Sequence, residues 1–250
     1  NLAELLRKTS LSSIISSAQI VADRLNFLEG LSNLLFDKET KKRLLERDQL
    51  HKILNEEAWL FDEDFALAGS EQRLEEVLVK HIGELGPRED GEKAVKLPDG
   101  KGGRVDLMLS KAIQPRTGEF DYLIVELKRP SKKIDADVLT QVKKYAMAVA
   151  NDERFHGVPA RWKFVAISND LDDYAKSEAY NQRDRARGLV HDDKDRNITV
   201  WVKEWGEVIN DARARLQFIN SQLSYEADRD SSKDYLRKTH SKFIPGGEDK

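Results

Sequence analysis

The apolar positions of this chain change period along its length. Leu25, Leu28, Leu31, Leu34 and Leu35 recur at three- and four-residue steps, so residues 1–55 read as helical with one apolar stripe. Gly30 interrupts that stripe and leaves the helix's boundary or straightness open. Asp37 has the chemistry of an N-cap for a second helix running through Leu44, Leu45, Leu50, Ile53 and Leu54. A short aromatic segment, Trp59 to Phe65, follows, and Leu74, Val77, Leu78 and Ile82 line one face of a helix over 71–82. After a turn-rich stretch from Gly83 to Gly103 the period falls to two. Val105, Leu107 and Leu109 alternate with Asp106, Met108 and Ser110. Polar Lys111 to Glu119 then separates this strand from the run Tyr122-Leu123-Ile124-Val125, the mark of a hairpin with a long loop, and Pro130 stops the second strand.

Helical spacing returns in Leu139, Val142, Ala146 and Val149, predicting a helix over Ala136 to Ala150. Trp162 to Ser168 reads as a short buried strand, Tyr174 to Arg187 as a charged helix, Ile198 to Val202 as another strand, and Trp205 to Leu223 as a last helix. This order predicts a mixed α/β domain. Residues 1–38 read as a helical N-terminal extension, suited to oligomerisation or to joining a further N-terminal region, 39–225 as the main domain, and 226–250 as a polar, flexible tail.

Composition removes several function classes. The 250 residues include no cysteine, which excludes disulfides, cysteine-zinc sites, iron–sulfur clusters and thiol nucleophiles. That fits a reducing cytoplasm, the expected location. No run approaches eighteen apolar residues, so no membrane partner is expected. The chain opens at Asn1 with no leader pattern and reads as a portion of something longer. A net charge of −3 means that any contact with nucleic acid depends on a local basic patch.

The candidate chemistry sits at the end of the second hairpin strand. Residues two apart on a strand share a face, so Glu126 and Lys128 project together from an otherwise apolar run. Burying a carboxylate there is costly unless a cation compensates it. Asp106, flanked by Val105 and Leu107, lies in the partner strand and can approach Glu126 if the register allows. Two close carboxylates repel, and a divalent cation such as magnesium resolves the conflict. Taken alone, a Glu-x-Lys is ordinary solvated decoration; Asp106 one strand upstream and the next helix change that. On that helix Gln141 and Tyr145 stand four apart, on one face.

Asp106, then Glu126-Leu127-Lys128, then Gln141-x-x-x-Tyr145 resembles the PD-(D/E)xK nuclease superfamily over about Arg104 to Ser168. The resemblance implies a restriction-endonuclease-like mixed sheet flanked by helices. It implies Asp106 and Glu126 as ligands of Mg2+ or Mn2+, Lys128 as the group serving the attacking water, and Gln141 and Tyr145 as orienting the site or contacting DNA. A narrower set, Gln49 to Leu54, Ala58 to Phe61, and Val125 to Pro130, resembles the nuclease domain of Shedu antiphage defence proteins over roughly 40–220. That family implies DNA cleavage in antiviral defence, homo-oligomers and a separate N-terminal sensing region. Its fold offers a further acid ahead of the hairpin, and Glu46, Glu71 and Glu75 all remain open for that role.

Arg129, Lys132 and Lys133 follow the candidate strand, and Lys143 and Lys144 lie on the next helix; beside such a site they read as contacts to the DNA backbone, the plain alternative being a solvated loop and helix face. Arg183, Arg185 and Arg187 are offset by neighbouring acids and read as a solvated helix. The five histidines lack ligand spacing, and His191-Asp192-Asp193 reads as an acidic loop. Gly100-Lys101-Gly102-Gly103 lacks the spacing of a phosphate loop, so no small-molecule cofactor is expected. The four tryptophans read as core. The competing reading is a nuclease-like module that binds DNA or oligomerises without turnover.

Overall fold

A strand buried on both faces must be apolar nearly throughout, and the segment Phe120–Leu127 is. In a computed structural model, which describes residues 11–44, 49–62, 65–70, 107–111, 119–151, 160–223 and 229–244, this segment lies in the middle of a sheet. The described strands are β1 (Phe65–Ser70), β2 (Leu107–Lys111), β3 (Phe120–Leu127), β4 (Ala160–Ser168), β5 (Leu189–Asp193) and β6 (Ile198–Glu204). Their order is β1-β2-β3-β4-β6-β5. β1 pairs antiparallel with β2 and β2 antiparallel with β3; β3, β4 and β6 are parallel; β5 returns antiparallel on β6. The mixed α/β class expected from the element order is therefore observed.

The described helices are α1 (Leu11–Phe36), α2 (Lys38–Arg43), α3 (His51–Asn55), α4 (Ala136–Ala150), α5 (Asp173–Tyr180), α6 (Trp205–Leu223) and α7 (Arg229–His240). Short 3-10 turns, Ala58–Leu60 and Ser241–Phe243, follow α3 and α7. The chain divides into two compact units, Leu45–Trp205 and the pair Asn1–Leu44 with Gly206–Lys250.

In the first unit the face of β3 bearing Tyr122 and Ile124 shares a core with Phe164 and Ala166 of β4, Val200 and Val202 of β6, and Val138, Leu139, Val142, Tyr145 and Ala146 of α4. α4 starts where Asp135 accepts a hydrogen bond from the Val138 amide at 2.9 Å, satisfying one orphan donor of its first turn. The bounds of α4 and α6 coincide with those expected from spacing alone.

Several elements differ from expectation, among them the second helix expected to run from Asp37 through Leu54, whose first part, α2, ends at Arg43 with Leu44 extended. Phe65–Ser70 is a strand, although Ala, Gly and Ser give it little β-propensity; its pairing with β2 supplies what local preference does not. His191-Asp192-Asp193, expected as an acidic loop, belongs to the edge strand β5, where polar side chains are tolerated because one edge faces no further described strand. The charged helix expected to run to Arg187 stops at Tyr180, and the chain turns through Gly188 at φ 88°.

In the second unit α1 continues through Gly30 without a break. The helix α7 packs along it, where a polar tail was expected, with Leu236 buried. Leu28, Leu31, Leu34 and Leu35 of α1 are buried. α7 contributes Leu236 to the cover of α1 beside Gly30. An ion pair between Arg213 and Glu29 at 2.9 Å adds a tie between α6 and α1.

Candidate functional site

Glu126 is the next-to-last residue of β3 and lies beside Ala166 of β4 in the parallel register. Residues in register share a face, so its carboxylate emerges on the side covered by α4. It is only 5% exposed, and Lys128 only 8%. Lys128 stays attached to the sheet one step past the strand, its amide donating to the Ile167 carbonyl at 2.9 Å. That backbone bond holds the parity, and the Lys128 ammonium donates to Glu126 Oε1 at 2.5 Å.

Gln141 closes the group from above. Two turns of helix beyond Asp135, it flanks the buried stripe of α4, and its Nε2 donates both to Glu126 Oε1 at 2.8 Å and to the Tyr145 hydroxyl at 2.8 Å. An amide nitrogen has two protons, so both bonds can be made together. Tyr145 is buried, and its hydroxyl accepts from Gln141 within the cluster. The result is a charged, hydrogen-bonded group at the C-terminal end of a central strand. A buried ion pair of this kind recovers its desolvation cost only when its geometry and hydrogen bonds are good, and apolar residues in its place are often as stable.

The cations expected beside the site divide in two. Arg129, Lys132 and Lys133 are exposed on the turn leaving β3. Lys133 pairs with Asp170 at 2.7 Å, and Asp170 also holds Lys176 at 3.0 Å. These two ammonium groups keep the Asp170 carboxyl down at about 2, well below the usual carboxylate range. On α4, Lys143 stands 3.8 Å from Glu178 and Lys144 is half-buried. The set nearest the cluster along the chain is thus the turn, with Arg129 and Lys132 exposed.

Asp106 lies outside the described residues, as do Glu46, Glu71 and Glu75. Among the described residues no three His, Asp or Glu side chains gather closely enough to hold a metal ion. Arg187 stacks its guanidinium 3.6 Å over the Tyr180 ring, and Arg185 donates to the Val190 carbonyl, so these arginines serve their own loop. Trp162 and Trp205 are buried, Trp162 against Tyr122 with ring centroids 4.4 Å apart. Two residues escaped sequence reasoning: Ser168 and Asp170, at the end of β4. The only signal was a polar Ser-Asn-Asp closing an apolar strand.

Compared with family models, with curated proteins and with solved structures, the chain matches none.

Proposed function

We propose that this chain is a magnesium-dependent DNA endonuclease of the PD-(D/E)xK kind, acting in antiphage defence, with Asp106, Glu126, Lys128 and Gln141 as its catalytic group. The observation that carries the reading is the bonding of Lys128 and Gln141 to one oxygen of a buried Glu126 at the end of a central strand. Three polar side chains from two elements converge where apolar residues are often as stable, and that convergence supports the reading of a functional site.

The metal requires a second carboxylate. β2 and β3 are antiparallel with Leu107 opposite Val125 and Leu109 opposite Leu123. Asp106, which directly precedes β2 in the sequence, is the proposed source. Asp106 and Glu126 would then supply the hard oxygen ligands that magnesium prefers. When bound, the ion would polarise the phosphate and lower the pKa of an attacking water. Glu126 would anchor that position. Gln141 would fix the carboxylate's orientation, with Tyr145 fixing Gln141. Lys128 would hold the water or neutralise charge developing on phosphorus-bound oxygen. Exposed Arg129 and Lys132 would meet neighbouring phosphates, which carry affinity but no sequence preference.

The test is Asp106→Asn, which removes ligand charge without removing volume. Cleavage of duplex DNA in magnesium should be abolished while the circular dichroism spectrum is unchanged. A variant as active as the parent would sink the assignment.

A further inference from the structure

The turn that leaves β3 is tied to the end of β4 by a buried hydroxyl. Lys132 N donates to the Arg129 carbonyl at 2.8 Å, closing a four-residue turn with Pro130 at its second position, where the ring presets the backbone. Pro130 is buried, while Arg129 and Lys132 flank it on the outside. Inside the turn stands Ser168, the last residue of β4 and 0% exposed. It shares parity with Phe164 and Ala166, and so lies on the face from which Glu126 projects.

The Ser168 hydroxyl is hydrogen-bonded to the Lys132 carbonyl, and the Arg129 carbonyl lies 3.4 Å away. A hydroxyl has one proton, and the nearer acceptor, on Lys132, takes it. Both carbonyls belong to exposed basic residues, Arg129 and Lys132. Further bonds continue the attachment beyond the turn: Ile134 N donates to the Asp170 carbonyl at 3.0 Å, and Asp172 N to the Ile134 carbonyl at 2.9 Å. At a wholly buried strand position alanine would serve the core as well as serine, since a buried hydroxyl costs free energy unless it is bonded. The serine is therefore explained by the turn it holds.

We infer that Ser168 is a positioning residue for DNA: it holds the Arg129–Lys132 turn against β4 so that both cations meet the phosphate backbone beside Glu126. This rests on the reading of Glu126 as a DNA-cleaving centre. Ser168 touches no reacting atom in this scheme, so its loss acts on binding and leaves the chemical step alone.

The experiment measures KM and kcat for cleavage of one duplex, with the salt dependence of binding in calcium. Four proteins are compared: the parent, Ser168→Ala, the double variant Arg129→Ala/Lys132→Ala, and the triple variant. Ser168→Ala should raise KM about three- to tenfold, the scale of one lost hydrogen bond. Its kcat should stay within about twofold, and its salt slope should fall by about one unit. In the double-variant background, adding Ser168→Ala should change KM by less than about twofold, because the cations it positions are already gone. A merely structural serine would add its full effect there, and that result overturns the proposal. So does an unchanged KM, or a loss confined to kcat. A parent that cuts and binds DNA while Ser168→Ala matches it removes this inference alone. A parent that neither cuts nor binds DNA removes the nuclease reading and this inference together.

Discussion

Lys128 is the residue at which catalysis and simple DNA binding part company. Its ammonium sits 2.5 Å from Glu126 Oε1 and is almost wholly buried. It cannot reach out as an ordinary phosphate contact in that position. If it acts on charge developing in the transition state, Lys128→Ala should lower the cleavage rate by roughly two to three orders of magnitude, the scale of losing one electrostatic stabiliser. DNA affinity should hardly change, since Arg129 and Lys132 remain. Rate and affinity measured together in magnesium and calcium decide it: affinity falling in proportion to rate would favour a binding module. The variant also leaves the Glu126 carboxylate without its cation, at a stability cost of about 3–5 kcal/mol for a fully buried pair, so the assay belongs well below its melting temperature. Much of this group was legible beforehand. The two-residue parity of Glu126 and Lys128 and the four-residue spacing of Gln141 and Tyr145 are properties of strand and helix that need no coordinates. Ser168 was not legible, because its role depends on which strand lies beside β3 and in what register.

At the scale of elements, the loop after β3 is held by its neighbours at two depths, by Ser168 inside and Asp170 outside. Asp170 titrates at about 2 because Lys133 and Lys176 bond its ionised form. A carboxyl depressed in the folded state contributes stability that is present above its unfolded value, near 3.8, and lost as pH falls toward 2. Asp170→Asn should therefore lower the urea midpoint modestly at pH 7. The gap to the parent should close as pH falls from about 4 to about 2, and a gap constant with pH would contradict the linkage. α4, which carries Gln141, depends on its cap: Asp135→Ala should cost about 1 kcal/mol in denaturant melts. A cost near zero would mean that packing alone sets the start of this helix. The spacing of Leu139, Val142, Ala146 and Val149 made α4 readable to the residue. α7 was hidden because Leu236 is its one large buried hydrophobic residue, and β5 because an edge strand can carry His191, Asp192 and Asp193 without penalty.

At the scale of the whole molecule, the helical unit and the sheet unit are stabilised by different devices. In the helical unit Gly30 looks like a defect, since glycine within a helix costs about 1 kcal/mol relative to alanine. A Cβ at that position would stand 2.6 Å from Leu236 Cδ1, 2.7 Å from Leu236 Cγ and 3.2 Å from the Ser232 carbonyl oxygen. Glycine is what lets α7 approach α1. Gly30→Ala should therefore destabilise the protein by about 1–3 kcal/mol, the cost of overpacking, with the sign opposite to helix propensity. A higher melting temperature would show that α7 is loosely held. Among the described residues no helix is long and apolar enough to cross a membrane. The sheet unit carries the Glu126 cluster, the proposed site of DNA hydrolysis. The most direct measurement is the cleavage rate of an end-labelled duplex in magnesium by the parent and by Glu126→Gln, both checked for folding. If the cluster hydrolyses DNA, the parent cleaves the duplex and the variant is slower by at least about two to three orders of magnitude. Equal rates, or no cleavage by either protein, would contradict it.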